Sequence, residues 1–81
     1  MMDVHKKNIM MAIYEKYLEG KGRQLTVTIT RDLAPREKVE IVLSQLEEER
    51  YISELKKNYG QDIYSFYVED KLLSFFDGRS I

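Results

Sequence analysis

The stretch LEEERYISELKKNYGQDIYSFYVEDKLLSFF, residues 46–76, decides the fold. Leu43, Leu46 and the run Glu47-Glu48-Glu49-Arg50-Tyr51-Ile52 close a helix. Two extended runs follow, Tyr51 to Lys57 and Ile63 to Val68, separated by the turn-rich segment Asn58-Tyr59-Gly60-Gln61-Asp62. Strand-forming residues either side of a short Gly-containing turn predict an antiparallel hairpin, here with a basic tip. From Glu69 to Phe76, the apolar residues Leu72, Leu73, Phe75 and Phe76 precede Gly78, so a last short helix should follow the hairpin directly.

Outward from this stretch, toward the N-terminus, Val39, Val42, Leu43 and Leu46 fall at i, i+3, i+4 and i+7. That spacing puts four apolar side chains on one helix face. The helix is expected from Pro35 to about Arg50. Proline suits its first position, and Glu37 suits the positive end of its dipole. Upstream, Gln24-Leu25-Thr26-Val27-Thr28-Ile29-Thr30 alternates apolar and polar residues and reads as a half-buried strand. Gly20-Lys21-Gly22 stops a first helix running from Asp3, its expected N-cap, to Glu19.

On that first helix Ile9, Met10, Ile13, Tyr14, Tyr17 and Leu18 recur at helical spacing. With Met11 they widen the apolar arc to about half the circumference. Two readings of so wide an arc stand side by side. The helix is buried on two sides within its own domain, or Met11, Tyr14 and Leu18 form the seam of a homodimer; a homodimer through the first or the last helix is the expectation.

Eighty-one residues suit one domain with one core, spanning residues 1–81. Hydrophobic residues at 43% and charged residues at 33% fit a globular protein, with six Tyr and three Phe supplying core volume in place of Trp. The absence of cysteine excludes disulfides, thiolate metal sites and cysteine nucleophiles, and fits a reducing cytosol. A single histidine, His5, excludes a multi-histidine metal site and reads as a solvated helix residue. No metal or other cofactor is expected. No apolar run reaches the roughly 20 residues of a membrane span, so a cytoplasmic protein with no membrane partner is expected. The net charge of −1 means that any nucleic-acid binding must come from local basic patches.

The order of elements, with Val39, Leu43, Leu46, Glu47-Glu48-Glu49 and Tyr51-Ile52 at the end of one helix and Tyr64-Ser65-Phe66-Tyr67-Val68-Glu69-Asp70-Lys71 after the hairpin, resembles a winged helix-turn-helix domain over residues 35–76. The resemblance implies an α+β fold, mostly helical, with a two- or three-stranded antiparallel sheet. It also implies DNA binding by a transcription regulator, with the helix from Pro35 in the major groove and the hairpin as the wing. Two departures stand out. β-Branched residues fill most of the place where the second helix of the motif belongs, so either that helix is only a turn around Thr30 to Leu33 or the fold differs from the family's. Two glycines common in the family are also replaced, the one before the wing by Arg50 or Tyr51 and the one near the final helix start by Leu72.

Carried onto this chain, the resemblance makes Arg31, Arg36 and Lys38 phosphate anchors, Ser44 and Gln45 base contacts, and Lys56, Lys57, Asn58 and Tyr59 the contacts of the wing with double-stranded DNA. The helix's own geometry opposes this. Opposite the Val39, Leu43 and Leu46 stripe lie Glu37, Ile41, Ser44 and Glu48, flanked by Glu40 and Gln45, a face poorly suited to a phosphate-lined groove. The alternative is therefore an interaction module whose Glu37 and Ile41 face, with Ile41 as the apolar contact, holds a protein partner. Catalysis is not expected: adjacent Glu47, Glu48 and Glu49 point in different directions from a helix and read as a solvated end.

Overall fold

A computed structural model of the chain describes residues 4–20, 22–58 and 62–77. Three helices take up about half of these residues, and the three strands form one antiparallel sheet. In chain order the elements are α1 (Val4–Leu18), β1 (Gln24–Thr28), α2 (Arg36–Glu48), β2 (Ile52–Asn58), β3 (Ile63–Val68) and α3 (Asp70–Asp77). This is an α+β fold with a winged-helix-like topology. The second helix of that motif is reduced to a turn at residues 31–33, where the Leu33 N–H donates to the Thr30 carbonyl at 3.1 Å. Thr26, Val27, Thr28 and Ile29 hold this region extended; Ile29 continues the strand direction, its N–H donating to the Asp62 carbonyl at 2.9 Å.

β3 is the central strand, between β1 and β2. Its register with β1 runs from Gln24 opposite Tyr67 to Thr28 opposite Ile63. The two-residue period sends Leu25, Val27, Tyr64, Phe66 and Val68 to one face, where all are buried with Ile52. α1 adds Ile9, Met10 and Ile13, α2 adds Val39, Val42, Leu43 and Leu46, and α3 adds Leu72 and Leu73. The described elements thus share one core.

Several boundaries differ from the expected ones for local reasons. Asp3 and Gly78 lie outside the described residues, as do Tyr59, Gly60 and Gln61 at the hairpin tip. Past α1, Gly20 takes φ +86, the left-handed conformation that glycine adopts without a Cβ clash. Pro35 is the N-cap of α2 and not its first helical residue, at φ −58 and ψ 145. α2 ends at Glu48, because Arg50 adopts φ +68. The Arg50 N–H then donates to the Glu47 carbonyl at 3.0 Å and the Tyr51 N–H to the Leu46 carbonyl at 2.8 Å. That pair of bonds is a Schellman motif, with arginine where glycine is the usual residue. Asn58, expected in the turn, is the last residue of β2 and pairs with Ile63.

Candidate interaction site

α2 divides into a buried and an open face. Val39, Val42, Leu43 and Leu46 point into the core, which turns Glu37, Ile41, Ser44, Gln45 and Glu48 to the surface. Ile41 is 54% exposed, well beyond what an isoleucine on a packed helix retains. These residues, with half-buried Glu40, line a shallow groove of about 490 Å³. Lys57, on the neighbouring strand β2, forms its far wall. Lys57 reaches that side because it pairs with Tyr64, whose side chain is on the core face, whereas Lys56 pairs with Ser65 on the outer face. The groove therefore carries three carboxylates and one ammonium around a single exposed apolar side chain.

At the N-terminal end of α2 the hairpin folds back against the helix start. The Arg36 Nε donates to Asp62 Oδ1 at 2.9 Å, so the first residue of α2 is tied to the residue before β3. Beneath this pair burial pushes the Tyr64 hydroxyl above its ordinary pKa, the charges of Glu40 and Asp62 push it further, and Arg36 opposes them. Arg31 is exposed in the turn before α2 and shares a second shallow depression with Pro35, Arg36 and Glu37. Lys38 is half-buried on α2, while Lys56 and Asn58 stand exposed on β2.

Arg31 and Arg36 thus lie together at the start of α2, whereas Lys56, Lys57 and Asn58 lie on β2 with Lys56 and Lys57 on opposite faces of the sheet, and Tyr59 is beyond the described residues. Acid stands beside the first pair. Arg36, expected as a phosphate anchor, has its guanidinium on Asp62, and Glu37 stands beside Arg31 and Arg36. Ser44 and Gln45 are exposed on the open face of α2, two and three residues beyond Ile41's immediate neighbour Val42.

Two expectations about individual side chains are corrected. Tyr14 is not an open seam residue: its hydroxyl donates to Asp77 Oδ1 at 2.6 Å and its ring stacks on Phe76 with centroids 4.4 Å apart. The bond to Asp77 holds the Tyr14 hydroxyl above its ordinary pKa. On that side α1 is covered within the chain, and Met11 and Leu18 are left exposed. His5 is half-buried rather than solvated. At the end of α2, Glu47, Glu48 and Glu49 are all exposed, and two of them also bond within the fold: Glu49 pairs with Lys6 at 2.7 Å and Glu47 Oε2 accepts the Leu55 N–H at 3.0 Å.

That last bond accounts for an irregularity in β2. The register slips between Ser53 and Lys56, and Glu54 at φ +54 makes the slip possible. A bulge leaves a backbone N–H off the ladder, and the carboxylate of Glu47, eight residues earlier, takes it up. Lys71 reinforces the same corner, donating to the Glu49 carbonyl at 2.8 Å from a position 4.5 Å over the Tyr51 ring. Sequence reasoning missed Asp62 as the partner of Arg36 and Val4 as an exposed apolar residue. It also missed a cleft of about 220 Å³ between α1 and the strand, floored by Ala12, Ile13, Val27, Ile29 and Leu33, beside the shortened second helix. The β-branched run that shortens the helix was the signal for that cleft.

Compared with protein-family models, with characterised proteins and with solved structures, the chain matches none. No helix among the described residues is long and apolar enough to cross a membrane.

Proposed function

We propose that this chain is a non-catalytic interaction module built on a winged-helix-like scaffold, which holds a basic segment of a partner protein in the groove between α2 and β2. The observation that carries the reading is the exposure of Ile41 in a groove bordered by Glu37, Glu40 and Glu48. An apolar anchor ringed by carboxylates suits a segment that presents an apolar side chain between lysines or arginines, in the way a helix docks in a groove through residues a turn apart. The same carboxylates repel a phosphate backbone, whose binding depends on neutralisation by cations.

A second reading, DNA binding by a transcription regulator, is favoured by one observation: the Arg36 and Asp62 pair ties the start of α2 to the hairpin whose strand β2 carries Lys56 and Lys57. Asp62→Asn separates the two. On the DNA reading it releases Arg36 and strengthens duplex binding; on the partner reading duplex binding stays absent. The direct test titrates isotope-labelled protein with a roughly 15-residue peptide carrying Leu and Arg on one helical face, and separately with a DNA duplex at ~50 mM salt, where phosphate contacts are strong. The peptide is expected to shift the amides of Ile41, Ser44 and Gln45, and the duplex to shift none. Shifts with the duplex alone, lost in Lys56→Glu plus Lys57→Glu, overturn the proposal.

A further inference from the structure

Val4, Met11 and Leu18 are spaced seven residues apart on α1 and are 64%, 42% and 61% exposed. Seven residues make nearly two helical turns, with a drift of about 20°, so the three side chains form one stripe along the whole helix. The stripe lies away from Ile9, Met10 and Ile13, which face the core, and beside Tyr14, which α3 covers. No other element of the described chain closes over it.

The chemistry of this face is symmetric about Met11. Apolar residues stand seven positions to either side, Val4 and Leu18, and opposite charges stand four positions to either side, Lys7 and Glu15. Both charged residues are exposed, and neither has an ion pair among the described residues, whereas Lys6 is held by Glu49 and Lys16 by Glu19. We propose that the Val4, Met11 and Leu18 stripe is a self-association surface that takes a second copy of α1 in antiparallel orientation, with Met11 on the two-fold axis.

In that arrangement Val4 meets the partner's Leu18, Met11 meets its own copy, and Lys7 comes level with the partner's Glu15. A parallel pair would instead set Lys7 level with the partner's Lys7 and Glu15 level with the partner's Glu15, so charge selects the antiparallel form. An isologous contact of this kind closes on itself and leaves the α2 groove open on both protomers. Three side chains on one helix cover less than the ~800 Å² per partner of a standard interface, so the dimer is weak and depends on concentration.

Because the chain has no cysteine, single-cysteine variants report the contact without background. Under mild oxidation Met11→Cys is expected to cross-link to itself. Val4→Cys mixed with Leu18→Cys is expected to give the mixed dimer at least roughly fivefold in excess of either self-dimer, the Cβ atoms of a disulfide having to approach within about 4.5 Å. Thr26→Cys, exposed on the far face of the sheet, gives the random-collision rate. Self-dimers of Val4→Cys and Leu18→Cys in excess of the mixed product would overturn the antiparallel arrangement. Cross-linking of Met11→Cys no faster than that of Thr26→Cys would overturn the surface itself. A sedimentation series on the cysteine-free chain supplies the second reading. The average mass should rise with concentration and stay monomeric in Met11→Glu, and a wild-type mass that never rises contradicts the proposal.

Discussion

The two ends of α2 use the same residue types to opposite effect. At the C-terminal end the charged residues are spent on the fold: Glu49 holds Lys6, its carbonyl receives Lys71, and Glu47 reaches over to the bulged backbone of β2. Along the N-terminal half and the outward face, Glu37, Ile41, Ser44 and Glu48 stand open around a groove. Even the ion pair at this end, Arg36 with Asp62, removes a cation from the surface rather than offering one. Charge near a helix end is thus a poor guide to function until its partner is known.

The largest effect that would sharpen this contrast is the difference between two apolar residues five positions apart. Leu46→Ala, in the core at the stapled end, should cost about 2–5 kcal/mol in denaturant unfolding. Ile41→Ala, on the open face, should stay within about 0.5 kcal/mol of the parent. Equal losses at both positions would mean that the outward face is part of the folded core.

A smaller loss is expected for Glu47→Ala, which leaves the Leu55 N–H without its carboxylate acceptor: about 1 kcal/mol, with faster amide exchange at Leu55. Arg50→Gly should go the other way. A left-handed arginine costs more than glycine there, and the greater freedom of glycine in the unfolded chain offsets part of the gain, for a net rise of roughly 0.5–1 kcal/mol in urea unfolding. An unchanged or lowered midpoint would show that the Arg50 side chain contributes contacts that outweigh its backbone strain.

The smallest effect is on pH dependence. Tyr14 and Tyr64 both have their hydroxyl pKa raised by the folded state, Tyr14 chiefly by its bond to Asp77 and Tyr64 chiefly by burial. A raised pKa favours the protonated form in the native state, so this contribution is full below the unfolded tyrosine value of about 10 and is lost as pH rises through the higher native values. Unfolding midpoints should therefore fall above about pH 10, and less steeply in Tyr14→Phe.

How much of this was legible in the sequence follows from the range of each interaction. The stripe of Val39, Val42, Leu43 and Leu46 and the alternation in Leu25, Val27 and Ile29 are periodic, and period alone places helix, strand and core. The hairpin was visible because its turn residues are local. The bulge at Glu54 was not, since it depends on a carboxylate eight residues away reaching an N–H that no local pattern marks. Arg36 with Asp62 and Tyr14 with Asp77 join residues 26 and 63 positions apart, and each residue alone looks like solvated surface. The outward face of α2 was readable for the same reason the core was: the helix period that hides Leu43 exposes Ile41.

The central claim, that this outward face receives a basic protein segment, is tested most directly by anisotropy of a labelled Leu- and Arg-bearing peptide against the parent chain and Ile41→Asp, with a labelled duplex run in parallel. The expected result is saturable peptide binding that weakens at least roughly tenfold in Ile41→Asp, about 1.4 kcal/mol, while the folded content is unchanged and the duplex stays unbound at ~50 mM salt. Duplex binding that falls steeply with added salt, with the peptide indifferent to Ile41→Asp, would contradict the account.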